Sequence, residues 1–360
     1  MGILTPLVRA RLAPFSLAVA LSFATAGCSA TALVTIMPGV VNSSGNRTLR
    51  REILSFGTKS VCSEMLKRGI PLRLNDGDPT IGRFYMHQCA SRGLDNDDLF
   101  VQFGGVGYAW SNITKRIGFD ASAGIDYDTD FRVDGGAMWI YFRPASTTAK
   151  KFDLRMVEAQ ASSPLGAILP MPTAQAFADQ LGNAFLAREL ERGFTVIRES
   201  DGSVSFSLGA LPPGQRPPAP YAQTSGGRLL LMNERTDVHQ NQRDFAGPFD
   251  VPSDGMALFL TVNVEGAPAI DLGVYPRVVG DTWIQTYAHD PTAGPPPSTA
   301  ILNESVRSGS IFRRVIRLPK GSYYVVLDNT ASAGHTMPSG VGGDDRAGSV
   351  SLGVEVGSAP

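Results

Sequence analysis

Residues 125–134 restrict the fold more than any other stretch of the chain. Ile125, Tyr127, Thr129, Phe131 and Val133 alternate with Asp126, Asp128, Asp130, Arg132 and Asp134. A period of two, with one apolar and one charged face, is the pattern of a half-buried antiparallel strand. Gly135-Gly136 then supplies a turn into the apolar run Ala137-Met138-Trp139-Ile140-Tyr141-Phe142, a partner for that strand.

Around this hairpin the sequence predicts an α+β domain over residues 48–210, in which two or three helices pack on an antiparallel sheet. Thr48 can cap a helix running to about Arg68, with Leu49, Ile53, Phe56, Val61 and Met65 near helical spacing, Gly57 weakening its middle and Gly69 ending it. A hairpin follows across the turn Asn75-Asp76-Gly77-Asp78-Pro79. Leu99 to Phe103 begins another strand and ends in Gly104-Gly105-Val106-Gly107, read as a turn or bulge. A second helix is expected over 173–192, with Phe177, Leu181, Ala184, Phe185 and Leu190 as its apolar stripe. Two short strands over 194–198 and 204–208 close the domain.

Residues 211–224 are proline-dense and read as a stiff linker. Beyond them helix signals fade, and short β-rich runs recur over 228–232, 256–264, 270–275, 282–288, 311–318, 322–328 and 349–356. Such spacing predicts an all-β sandwich over 225–360. The segment Leu318-Pro319-Lys320-Gly321-Ser322-Tyr323-Tyr324 resembles the turn into a core strand of pre-peptidase C-terminal and related jelly-roll domains. That likeness implies architecture and not activity.

The N-terminus carries a different message. Arg9 and Arg11 precede an apolar run from Leu12 to Phe23, which is short of the roughly 20 residues a membrane span requires. The run leads into Thr25-Ala26-Gly27-Cys28, which resembles the lipobox of bacterial lipoproteins. The resemblance implies a signal peptide over 1–27, an acylated Cys28 that attaches the mature chain to the lipid bilayer, and a tether over 28–47. Ser29 in place of Asp implies an outer-membrane address, on its periplasmic face or at its surface. The alternative is an ordinary export signal cut at a nearby alanine, with Cys28 incidental.

With Cys28 assigned to lipid, Cys62 and Cys89 are left as a disulfide pair in an oxidising compartment. Free thiols or a metal site are the alternatives, but zinc takes four ligands and only His87 is near. A formal net charge of -1 gives no electrostatic case for nucleic acid. Asp126, Asp128, Asp130 and Asp134 look like a calcium loop only superficially, because Phe131 and Ala137 stand where Gly and Glu belong. His87, His239, His289 and His335 are scattered, and neither a zinc-protease motif nor a Gly-x-Ser-x-Gly elbow is present. His289 with Asp290 and a serine could form a triad in space, as in almost any chain of this size. No catalytic residue, metal ligand or cofactor is therefore assigned. Tyr108 and Trp110, in a cluster of aromatic residues, are the candidates for lining a pocket in a concave sheet.

Taken together, these features lead to the expectation of a membrane-anchored envelope lipoprotein without catalytic activity, binding a small or lipidic ligand or an envelope protein. The alternatives are an envelope hydrolase acting on lipid or polysaccharide and a purely structural surface lipoprotein.

Overall fold

The computed structural model describes residues 45 and 47–360, except 76, 95–97, 113, 135, 159–190 (save 176, 179 and 182), 201–203, 216–226, 293, 333–335 and 337–346. The signal, Cys28, the tether, most of the helix expected over 173–192 and most of the linker lie outside the described residues.

Among the described residues the chain is mostly antiparallel β, 61% strand with two helices. This overturns the expected α+β domain with two or three helices followed by a sandwich. The first half is a seven-stranded meander whose spatial order equals its chain order: β1 (Gly69–Leu72), β2 (Gly82–Gly93), β3 (Leu99–Ser111), β4 (Lys115–Asp134), β5 (Ala137–Val157), β6 (Phe194–Arg198) and β7 (Val204–Leu208). Strands of 20 and 21 residues, β4 and β5, give it the reach to curl as a half-barrel. The partner expected over Ala137–Phe142 is the start of one long strand with register shifts that runs on to Val157. Likewise, the glycines at 104, 105 and 107 sit inside β3 rather than ending it.

Helix α1 (Arg47–Met65) lies on one face of this sheet. Leu54, Val61 and Met65 are its buried stripe and join Phe84, Ile117, Phe119, Ile125, Ile140 and Phe142 in a single core. Gly57, read from sequence as a weak point, lets the helix approach closely: a Cβ there would stand 3.0 Å from Ile140 and Phe142. The Cys62–Cys89 disulfide ties α1 to β2. Closing a loop of 27 residues stabilises the fold by about 3 kcal/mol in the chain-entropy model.

The second half contains two four-stranded antiparallel sheets with a shared apolar core. One is ordered β13 (Phe312–Arg317), β10 (Met256–Glu265), β15 (Gly348–Ser358), β8 (Leu229–Val238); the other β12 (Leu302–Arg307), β11 (Ala269–Pro276), β14 (Gly321–Asn329), β9 (Gln242–Val251). Between β11 and β12 runs α2 (Arg277–His289), in the place where a strand over 282–288 was expected. Its β-like composition misleads, but its burial is helical: Gly280, Trp283, Ile284, Tyr287 and Ala288 face inward. That buried stripe packs on β3, β4 and β14 and makes α2 the joint between the two halves. The halves also meet through backbone, since Thr80 donates to Arg235 at 2.8 Å and accepts from Asp237 at 3.0 Å. No helix among the described residues is long and apolar enough to cross a membrane.

Candidate functional site

A cleft of about 270 Å³ opens where the C-terminal end of α2 lies over the middle of the seven-stranded sheet. Its floor is set by strand register. Gln88 of β2 pairs with Gly104 of β3, Gly104 with Ser122 of β4, and Ser122 with Lys151 of β5. These four positions form one cross-strand row, with neighbours about 4.8 Å apart. Glycine at the second place leaves a gap between Gln88 and Ser122. In the next row Asp120 pairs with Asp153. Asp120 and Ser122 share a face because side chains alternate along a strand. His87 enters from the bulge in β2, and Gln285 and His289 come down from α2. The lining is more polar than apolar, with side-chain donors and acceptors converging from four elements, β2, β4, β5 and α2.

Asp120 is the anchor of this surface. Its Oδ1 is 3.0 Å from His289 Nε2, and its Oδ2 accepts from Arg155 Nε at 2.7 Å. Burial alone would raise the Asp120 carboxyl, but the His289 and Arg155 hydrogen bonds and charges outweigh it and hold the group below its ordinary value. Lys151 is ion-paired with Asp153, which also lies 3.8 Å from Arg155. Among the described residues no group of three or more His, Cys, Asp or Glu is placed to hold a metal ion.

The cleft exists because α2 comes unusually close to β4. A Cβ on Gly118 would sit 1.6 Å from the Ala288 carbonyl oxygen, backbone that cannot swing away. Gly118→Ala should therefore lift the end of α2, at a cost of about 1–3 kcal/mol or more. Amide exchange across Arg277–His289 should quicken while exchange in the sheets of the second half stays slow. Unchanged protection in α2 would refute this dependence on close approach.

Deeper in the same seam is a buried polar network. Arg83 donates from Nε and Nη2 to the two carboxylate oxygens of Asp244, each at 2.8 Å, and lies 3.2 Å from Glu234. Burial disfavours the Arg83 charge, but Asp244 and Glu234 outweigh it and hold the guanidinium protonated to well above its usual range. Tyr108 donates to Asp244 at 2.8 Å and accepts from the Phe245 amide at 2.9 Å. Arg116 caps the chain after α2, donating to the carbonyls of Asp290 and Pro291 at 2.9 and 2.8 Å. Its guanidinium lies over the Tyr287 ring.

The structure puts the two aromatic candidates outside this cleft. Tyr108 is buried in the aromatic cluster beneath α2, and Trp110 stacks on His239 where the halves meet. Neither lines the cleft. His289 pairs with Asp120 rather than using Asp290, whose carboxylate accepts from the amide and hydroxyl of Thr292. Asp126 accepts from Ser146, and Asp130 from the adjacent Phe131 amide. Cys28 and His335 lie outside the described residues. Sequence reasoning missed Asp120, Ser122 and Gln285, which carry no motif and meet only through sheet register and α2 docking.

No family model matches the chain, and no curated protein matches it. Among solved structures it is similar to Bacillus endospore appendages, described as a novel family of disulfide-linked pili, at 12% identity and a TM-score of 0.21, over 42% of this chain and 99% of that one. It is also similar to an exo-beta-1,3-galactanase from Phanerochaete chrysosporium with galactose, at 8% identity and a TM-score of 0.19, over 76% and 69% of the two chains. At these TM-scores neither likeness carries an argument.

Proposed function

We propose that this protein is a lipid-anchored envelope lipoprotein, held at the outer membrane through acylated Cys28, that binds a small polar ligand without turning it over. The observation that carries the binding reading is the cleft between α2 and the sheet, where Gln88, Ser122, Lys151, Gln285, His87 and His289 converge around the gap at Gly104. A polar lining suits a hydroxyl-rich or amide-bearing ligand better than an acyl chain, since unpaired polar groups would oppose burial of hydrocarbon. The lipobox-like segment and the disulfide support an exported setting.

A hydrolase is the second reading, and the His289–Asp120 pair favours it. A general base needs a nucleophile within hydrogen-bond reach. Here the Nε2 of His289 is turned to Asp120, so only Nδ1 is left to serve one.

Gly104→Leu separates cleft from fold. The three atoms nearest a Cβ there belong to the Gln88 and Ser122 side chains, at 3.4–3.8 Å, so the larger side chain is expected to fill the gap between them. Titration calorimetry with hexoses, N-acetylhexosamines and their short oligomers should find at least one ligand for the wild type. Gly104→Leu should weaken it about tenfold or more, a change of 1.4 kcal/mol, at an unaltered melting temperature. Binding that Gly104→Leu leaves intact would remove the cleft from the account, and product release from the oligomers would favour the hydrolase.

A further inference from the structure

The segment that carries β12 and β13, which lie at the edges of the two different sheets of the second half, departs from the rest of the surface. The whole chain has a formal net charge of -1, yet residues 301–320 carry Arg307, Arg313, Arg314, Arg317 and Lys320 against a single carboxylate, Glu304. Three of the chain's exposed large apolar side chains fall in the same segment: Ile301 at 47%, Ile311 at 56% and Val315 at 44% exposure.

Strand geometry sorts these residues by face. Ile316 is buried inward, and Arg314 on that same side is ion-paired with Glu304. The outward positions are then Ile311, Arg313, Val315 and Arg317, an alternation of apolar and guanidinium groups along one line. Arg317 also donates to the Pro360 oxygen, which steadies its side chain. β13 closes its sheet, pairing with β10 on one side, and no strand lies beyond it among the described residues. Apolar side chains between cations are poorly suited to water alone. They suit a boundary where hydrocarbon and anionic oxygens lie side by side, because guanidinium binds phosphate bidentately while the aliphatic groups enter the acyl margin.

We propose that the outward face of β13 is a contact surface for an anionic phospholipid bilayer, with Arg313 and Arg317 on headgroup phosphates and Ile311 and Val315 inserted between them. This goes beyond ligand binding in the cleft and does not depend on it or on acylation. A second attachment of this kind would orient the tethered body on the membrane.

The test uses the full chain carrying Cys28→Ser, so that no acyl group contributes. The N-terminal segment is common to every variant, and differences between variants therefore read the strand. Cosedimentation is measured with vesicles of phosphatidylcholine alone and of phosphatidylcholine mixed with phosphatidylglycerol, at low and high salt. The protein should prefer the anionic vesicles, and the preference should fall with salt. Arg313→Gln with Arg317→Gln should lower partitioning to anionic vesicles roughly 30-fold. Ile311→Ser with Val315→Ser, which keeps every charge, should lower it several-fold, with an unchanged thermal melt in both cases. Equal binding to both vesicle types, or full binding by both variants, would overturn the proposal. So would capture by heparin without binding to anionic vesicles, which would make a soluble polyanion the partner.

Discussion

Asp244→Ala should destabilise the protein by about 3–5 kcal/mol, the cost of leaving a buried guanidinium without its partner. Arg83 is 1% exposed and cannot turn to water. Asp244 receives both of its hydrogen bonds to Arg83 and the Tyr108 hydroxyl as well, so one truncation strands donors from two strands of the first sheet. Glu234, 3.2 Å from Arg83, offsets part of the loss but also neighbours Arg73 at 3.8 Å. Because Asp244 belongs to β9 and Arg83 to β2, the loss falls on the seam between halves. Urea unfolding should show a lowered midpoint, and amide exchange should quicken first at Thr80, Asp237 and α2. Arg83→Met combined with Asp244→Leu should recover most of the stability, since well-packed apolar replacements of a buried pair are often neutral. A cost below about 1 kcal/mol for Asp244→Ala would mean that the pair behaves as a surface ion pair, and the seam would have to be held by the aromatic cluster alone.

The alternation over 125–134 was legible because that part of β4 is buried on one face only. Upstream, Ile117, Phe119, Ala121 and Ala123 continue the inward face while Gly118, Asp120 and Ser122 face α2 and the cleft, but glycine, alanine and serine give that alternation little hydrophobic contrast. Small residues on both faces weaken the face signal, so from sequence the strand looks shorter than it is and the meander looks like separate pieces. Glycines misled for a related reason. At Gly118 and Gly57 the small residue allows two elements to touch, whereas sequence alone offers only its tendency to end elements. In α2, Trp283, Ile284 and Tyr287 are β-favouring residue types at helical spacing, so composition points to a strand where the spacing makes a helix.

The disulfide was legible, since two cysteines remained once Cys28 was set aside. The cleft was not. Asp120 and His289 are 169 residues apart, and only the docking of α2 onto β4 makes them partners. Tyr108 was singled out for its ring, but its hydroxyl decides its place, because a buried phenol needs a partner and Asp244 supplies one.

Anchoring through Cys28 is the claim that sets where the cleft works, and its expected effect is close to all-or-none. A single acyl chain gives marginal attachment, while each additional buried methylene adds about 0.8 kcal/mol, so several chains on one cysteine hold firmly. The β13 surface adds only a salt-sensitive contact. Cells labelled with palmitate and fractionated through a high-salt wash test the anchor directly. Wild type should carry label and stay with the membranes. Cys28→Ser should carry none and move to the soluble fraction, with its Cys62–Cys89 disulfide intact. An unlabelled wild type, or Cys28→Ser remaining on washed membranes, would contradict the account.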